Sequence, residues 1–146
     1  MIYLDTSALI KLYLLEDGSE SVNRLVISQD EPLPIWELQE AELVNALQLK
    51  IFWGELEEVD FNNLLGHFQS RKECGHYYYP ELNRTELLPC FRKLSAYTRE
   101  LGCRTLDVLH VSCAKLIGAD CFVSFDKRQC SLAKLAGLNV VGVEVV

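Results

Sequence analysis

The chain has 146 residues, 49% hydrophobic and 24% charged, which suits one soluble globular domain with a substantial core. No apolar run approaches the roughly 20 residues of a membrane span. The net charge of −7 argues against non-specific attraction to nucleic acid, although acids gathered around a metal lower the formal charge while leaving a cationic centre.

The start lacks a basic segment followed by a small-residue cleavage site, so residues 1–146 read as a single unexported, cytoplasmic domain. Cys74, Cys90, Cys103, Cys113, Cys121 and Cys130 form no C-x-x-C pair and sit in apolar surroundings, so reduced thiols are expected. Cys74 and His76 are a fragment of a metal site at most.

Ile2 to Leu4 read as a buried strand and Thr6 to Leu15 as a helix. Asp17-Gly18-Ser19 is a turn, with Ser19 placed to cap the next helix, which carries Val22, Leu25 and Val26 on one side. The prolines of Pro32-Leu33-Pro34-Ile35-Trp36 keep a second short strand extended. Glu37 to Trp53 is a long helical pattern broken by Gly54, and Phe61, Leu64, Leu65 and Phe68 mark another helix. His76 to Leu82 suggests an edge strand, and Arg84 to Leu101 a further helix. Thr105 opens a helix to Ile117. Cys121 to Phe125 is a strand, Leu132, Leu135 and Ala136 mark a helix, and Leu138 to Val146 is a last strand. Strands alternating with helices predict a parallel α/β sheet with right-handed crossovers.

In such sheets ligands bind beyond the carboxyl ends of the strands. Asp5 and Asp126 both follow an apolar strand and precede a helix, so they converge if their strands are neighbours. Asp107 lies in the first turn of its helix, with Thr105 as the expected N-cap. It serves the helix dipole there, yet Val111 and Ala114 share its face, where a carboxylate needs a partner. Glu42 sits among Ala46 and Leu49 on its helix, with Glu37 and Glu40 as competitors that helical phase does not separate. Carboxylates sharing a pocket repel one another, and a hard divalent ion such as Mg²⁺ or Mn²⁺ resolves that conflict. Such an ion neutralises phosphate charge, which points to metal-assisted hydrolysis of a phosphodiester.

The stretches Leu4-Asp5-Thr6-Ser7-Ala8-Leu9, Ala41 to Leu47, Thr105 to Val111 and Phe122 to Arg128 together resemble a PIN domain, in particular a VapC-type toxin ribonuclease. Leu132-Ala133 and Gly137-Leu138 fit the family ending. The resemblance implies an α/β fold, a three-layer α/β/α sandwich with a central parallel sheet, and Mg²⁺- or Mn²⁺-dependent cleavage of RNA. It carries the catalytic acids onto Asp5, Glu42, Asp107 and Asp126, and it is what selects Glu42 over Glu40. Asp5, Asp107 and Asp126 are expected to gather the metal, with Ser7 and Ser124 as supporting hydroxyls. Ser112-Cys113-Ala114 departs mildly from the small apolar residues usual there, and residues 54–82 are less diagnostic. A cognate antitoxin and a homodimer are the implied partners, with no membrane; apolar residues after Leu12 and Gly54 are candidate surfaces for them.

Lys11, Arg104, Lys127 and Arg128 lie near the acids in sequence and are candidates to hold RNA phosphates, each with an ordinary solvated cation as its plain alternative. Arg71-Lys72 and Arg92-Lys93 are weaker candidates. His110, one turn beyond Asp107, reads as a packed, hydrogen-bonded histidine. Trp36, Trp53 and Tyr77 to Tyr79 read as core or interface residues. Two readings compete with the nuclease. One is a catalytically inactive PIN-like module that binds RNA or protein. The other is an aspartyl-phosphate phosphotransferase of the haloacid dehalogenase type, whose D-x-D pattern Asp5-Thr6-Ser7 lacks.

Overall fold

A computed structural model describes residues 1–142 of the chain. Strand β1 (Ile2–Leu4) leads into helix α1 (Thr6–Leu9) and a 3-10 turn (Ile10–Leu12). Helix α2 (Ser19–Ser28), strand β2 (Leu33–Pro34) and helix α3 (Glu37–Phe52) follow. Helix α4 (Glu58–Glu73), strand β3 (Tyr77–Tyr78) and helices α5 (Arg84–Ser95) and α6 (Thr98–Leu101) form the middle of the chain. Helix α7 (Thr105–Leu116), strand β4 (Cys121–Ser124), helix α8 (Lys127–Leu135) and strand β5 (Asn139–Gly142) complete it. Residues 143–146 of the expected last strand lie outside the described residues.

All the pairings among the described residues are parallel. β4 lies between β1 and β5, β2 pairs with β3, and β2 runs beside β1. Strand side chains alternate between faces, and here each face has its own core. Ile2, Leu4 and Val123 join Leu9, Leu33, Leu43, Leu47, Phe61 and Phe68. Tyr3 and Phe122, register partners stacked at 5.6 Å, join Trp36, Leu94, Val108, Val111 and Leu132. Two cores on opposite faces of one parallel sheet make the expected three-layer α/β/α sandwich. Removing the Phe122 ring from its fully buried position would cost about 3–5 kcal/mol.

Several local expectations are corrected. The first helix stops at Leu9 and tightens through Leu12, and the Leu14 carbonyl beyond it accepts from the Ser19 hydroxyl at 2.8 Å. Ser19 therefore does not cap α2; Gly18 does, at φ +92°. A Cβ at residue 18 would lie 2.6 Å from the Phe125 ring, so this loop closes on the end of β4 only with glycine. The helix expected over Arg84 to Leu101 divides at Ala96–Tyr97, a bend that lets Leu94 and Leu101 pack on the same core. Arg104 rather than Thr105 is the N-cap of α7, since Asp107 reaches back to the Arg104 N–H. Strand β4 ends at Ser124, where Phe125 turns toward the loop.

Candidate active site

The register Leu4 opposite Val123 brings Asp5 out of β1 beside Ser124 at the end of β4. Asp5 is the N-cap of α1, its Oδ1 accepting from the Ala8 N–H at 2.9 Å, and Asp126 is the N-cap of α8, accepting from the N–H groups of Arg128 and Gln129. Extended residues followed by a helix need such a cap, and a short carboxylate supplies it.

Two hydroxyls tie these strand ends together. Ser124 donates to Asp5 Oδ2 at 2.6 Å and accepts from the Asp126 N–H at 3.0 Å. Ser7 donates to Asp5 Oδ1 at 2.6 Å and accepts from the Phe125 N–H at 3.0 Å. Asp5 is fully buried, and burial raises its pKa although Ser124, Ser7 and the Ala8 N–H pull the other way.

Asp107 arrives from the first turn of α7. Its Oδ2 accepts from the Arg104 N–H at 2.8 Å, and its Oδ1 accepts from Gln129 Nε2 at 3.1 Å. Gln129 also gives its backbone N–H to Asp126, so one residue bridges the two acids. The Gln129 Oε1 is buried with no hydrogen-bond partner in the structure, a polar atom left over beside the carboxylates.

Glu42 comes from α3, half-buried. Its Oε1 accepts from the Thr6 hydroxyl at 3.0 Å and meets Nε2 of the buried His110. Burial raises its pKa, but the His110 hydrogen bond, the Thr6 hydroxyl and the Arg104 charge outweigh that and hold the carboxyl below its ordinary value. Glu40 points elsewhere: it pairs with Lys72 at 2.9 Å and accepts from the Tyr79 hydroxyl. The stripe Ala46–Leu49 that suggested a buried face for Glu42 is a rim, with Leu49 40% exposed.

The structure thus links Asp5, Asp126 and Asp107 through single polar side chains and sets Glu42 against Thr6, the residue after Asp5. Among the described residues no three His, Cys, Asp or Glu side chains are gathered closely enough to hold one ion as they stand. The donor set nevertheless fits a hard divalent cation. It is all oxygen, the buried Asp5 has no ion-pair partner among the described residues, and both N–H bonds to Asp126 fall on Oδ1.

Of the proposed cations, Arg104, Lys127 and Arg128 are exposed, with Arg104 Nε 3.9 Å from Asp107. Lys11 is not a free surface cation: it pairs with Glu16 at 3.0 Å and lies 4.4 Å from the centre of the Phe125 ring. Trp36 and Tyr77 are core residues, whereas Trp53 and Tyr79 are 57% exposed. The cysteines are all unpaired.

A model of the PIN domain family matches residues 2–135. The chain belongs to the PIN domain family. Domains of this family are generally nucleases, and those nucleases typically use divalent metal ions. The fold of this PIN domain is shared with the crystal structure of FitAcB from Neisseria gonorrhoeae, at a TM-score of 0.64 and 18% identity over 97% of each chain. Comparison with curated proteins finds no match. No helix among the described residues is long and apolar enough to cross a membrane.

Four further residues of the PIN domain site are given no role by the motifs. Gln39 donates to the Leu4 carbonyl at 2.6 Å and holds α3 against the end of β1. Gln129 joins Asp107 to Asp126, Thr6 holds Glu42, and Tyr3 reaches His110. A signal for both glutamines was present: Gln39 continues the buried stripe Leu43–Leu47, and Gln129 the stripe Leu132–Ala133–Ala136.

Proposed function

We propose that this PIN domain is a metal-dependent ribonuclease that hydrolyses RNA phosphodiester bonds. The observation carrying this reading is the pair of strand-end aspartates, Asp5 and Asp126, stitched together by Ser7 and Ser124 and joined to Asp107 through Gln129.

Asp5, Asp107 and Asp126 would hold the Mg²⁺ or Mn²⁺, which when bound supplies Lewis-acid polarisation of the phosphate. Ser7 and Ser124 keep Asp5 oriented by donating to both of its oxygens. Glu42 orients the attacking water and takes up its proton on Oε2, since Oε1 is engaged by Thr6 and His110. Arg104, Lys127 and Arg128 contact phosphates along the rim, which reconciles an acidic protein with an anionic substrate.

We infer further that the nuclease is the toxin of a toxin–antitoxin pair, acting in the cytoplasm as a homodimer and silenced by a cognate antitoxin. The VapC-like motifs support this, as does apolar surface at the α3–α4 junction, where Phe52, Trp53 and Val59 are 82%, 57% and 59% exposed.

The test is cleavage of RNA by purified protein with Mg²⁺ or Mn²⁺, beside Asp5→Asn and Asp107→Asn. Cleavage by the wild type that both variants abolish supports the nuclease. Equal cleavage by all three identifies a contaminant. No cleavage under any metal leaves the acids as structural caps and makes the chain a binding module. Light scattering reads the dimer, and co-purification with the product of the neighbouring reading frame reads the antitoxin.

A further inference from the structure

We propose that Trp36, Tyr3 and His110 are positioning residues for Glu42: a buried chain of donors, running one way, that aims an imidazole N–H at its Oε1. The proposal rests on the reading of Glu42 as part of a nuclease centre.

The direction follows from which groups can donate. The Trp36 indole N–H is a donor only, and it reaches the Tyr3 hydroxyl oxygen at 2.8 Å. With that oxygen accepting, the Tyr3 O–H proton is free to point onward, and His110 Nδ1 lies 2.8 Å away. A ring nitrogen that accepts at Nδ1 places the proton of a neutral imidazole on Nε2. That nitrogen faces Glu42 Oε1, where the Thr6 hydroxyl also donates. Each link hands a proton donor to the next, and the chain ends on the carboxylate.

The chain is also held rigidly. Tyr3 is fully buried, His110 is 1% exposed and Trp36 6%. The Tyr3 ring stacks on Phe122 and meets the His110 ring edge-on at 5.9 Å, so neither ring is free to turn. At its far end the Trp36 backbone N–H is gripped by Gln39 Oε1 at 3.0 Å, and the same side chain donates to the carbonyl of Leu4, the residue before Asp5. The orientation of Glu42 is therefore coupled to the strand end that carries Asp5. A metal-assisted hydrolysis does not need His110 as a base, and this geometry gives the histidine a different task.

The test has two arms. In ¹⁵N-labelled full-length protein, the long-range ¹H–¹⁵N spectrum should show His110 protonated on Nε2 and bare on Nδ1. Tyr3→Phe, which keeps the ring, should move the Nδ1 resonance, and the melting temperature separately reads the stability lost by leaving the Trp36 N–H and His110 Nδ1 unpartnered. In cleavage of single-stranded RNA with Mg²⁺, Tyr3→Phe should lower kcat by about tenfold with KM unchanged, the scale of one hydrogen bond. Trp36→Phe should act in the same direction and less. His110→Gln, whose amide can still donate toward Glu42, should retain more activity than His110→Leu. A proton found on Nδ1 in the wild type, or Tyr3→Phe cleaving at the wild-type rate, overturns the proposal. The expected tautomer in a wild type that cleaves nothing with Mg²⁺ or Mn²⁺ supports the donor chain and sinks the nuclease reading instead.

Discussion

The two halves of the acidic cluster are built differently. Asp5 and Asp126 are placed by backbone: parallel strands in fixed register, each ending in a residue that caps the next helix, with Ser7 and Ser124 closing the gap. Glu42 and Asp107 come from helices and meet side chains that reach across from other elements, His110 and Thr6 in one case and Gln129 in the other, with Asp107 also held by the Arg104 N–H of its own helix start. The first half should resist perturbation until the fold itself gives way. The second should lose its geometry to single conservative changes that leave the fold intact.

The largest test of this contrast is Asp5→Asn. Cleavage should fall by on the order of 100- to 1,000-fold, as when one charged or donating group is removed from a transition-state site. Its stability should move the opposite way. Because burial raises the Asp5 pKa, the folded state holds that proton more tightly than the unfolded chain, so ionising Asp5 costs stability as pH rises through the interval between the two values. Melting curves across pH should therefore show the variant gaining on the wild type as pH rises to neutrality.

Next in size is Ser124→Ala, which removes a donor to Asp5 and an acceptor of the Asp126 N–H at a buried site. It should cost about 1–3 kcal/mol by denaturant unfolding, and Ser7→Ala, at a partly exposed site, should cost less. Equal costs would show that the two hydroxyls are not ranked by burial.

Gln129→Leu belongs to the other half. It keeps the bulk beside α8 while taking the N–H from Asp107, and it also removes the unpartnered Oε1. Stability should change by less than about 1 kcal/mol while cleavage falls roughly tenfold. A loss of stability with cleavage intact would place Gln129 with the structural half.

The smallest effect is acid sensitivity at Glu42. Its pKa is held below the ordinary range, so its contribution is complete above that range and is lost as pH falls through the lowered value. The wild type should lose stability there, and Glu42→Gln should not show that increment. Urea midpoints measured down the acid range would read it.

The same contrast explains what was legible in the chain. Asp5 and Asp126 could be found because a carboxylate directly after a short apolar strand and before a helix is a local pattern, and Val111 and Ala114 marked the buried face of Asp107. Glu42 and Glu40 could not be separated by phase, since two residues on one helix differ in function here only through what opposes them: His110 and Thr6 for one, Lys72 and Tyr79 for the other. Lys11 showed as a cation but not as one already engaged by Glu16 and Phe125.

From the sequence came the alternation of strands and helices and the acids at the strand ends, because these depend on neighbours a few residues apart. Only the tertiary structure brought β1 beside β4 across 119 residues and joined Tyr3 to His110 across 107. Contacts of that separation depend on which surfaces pack together, and no local spacing encodes them.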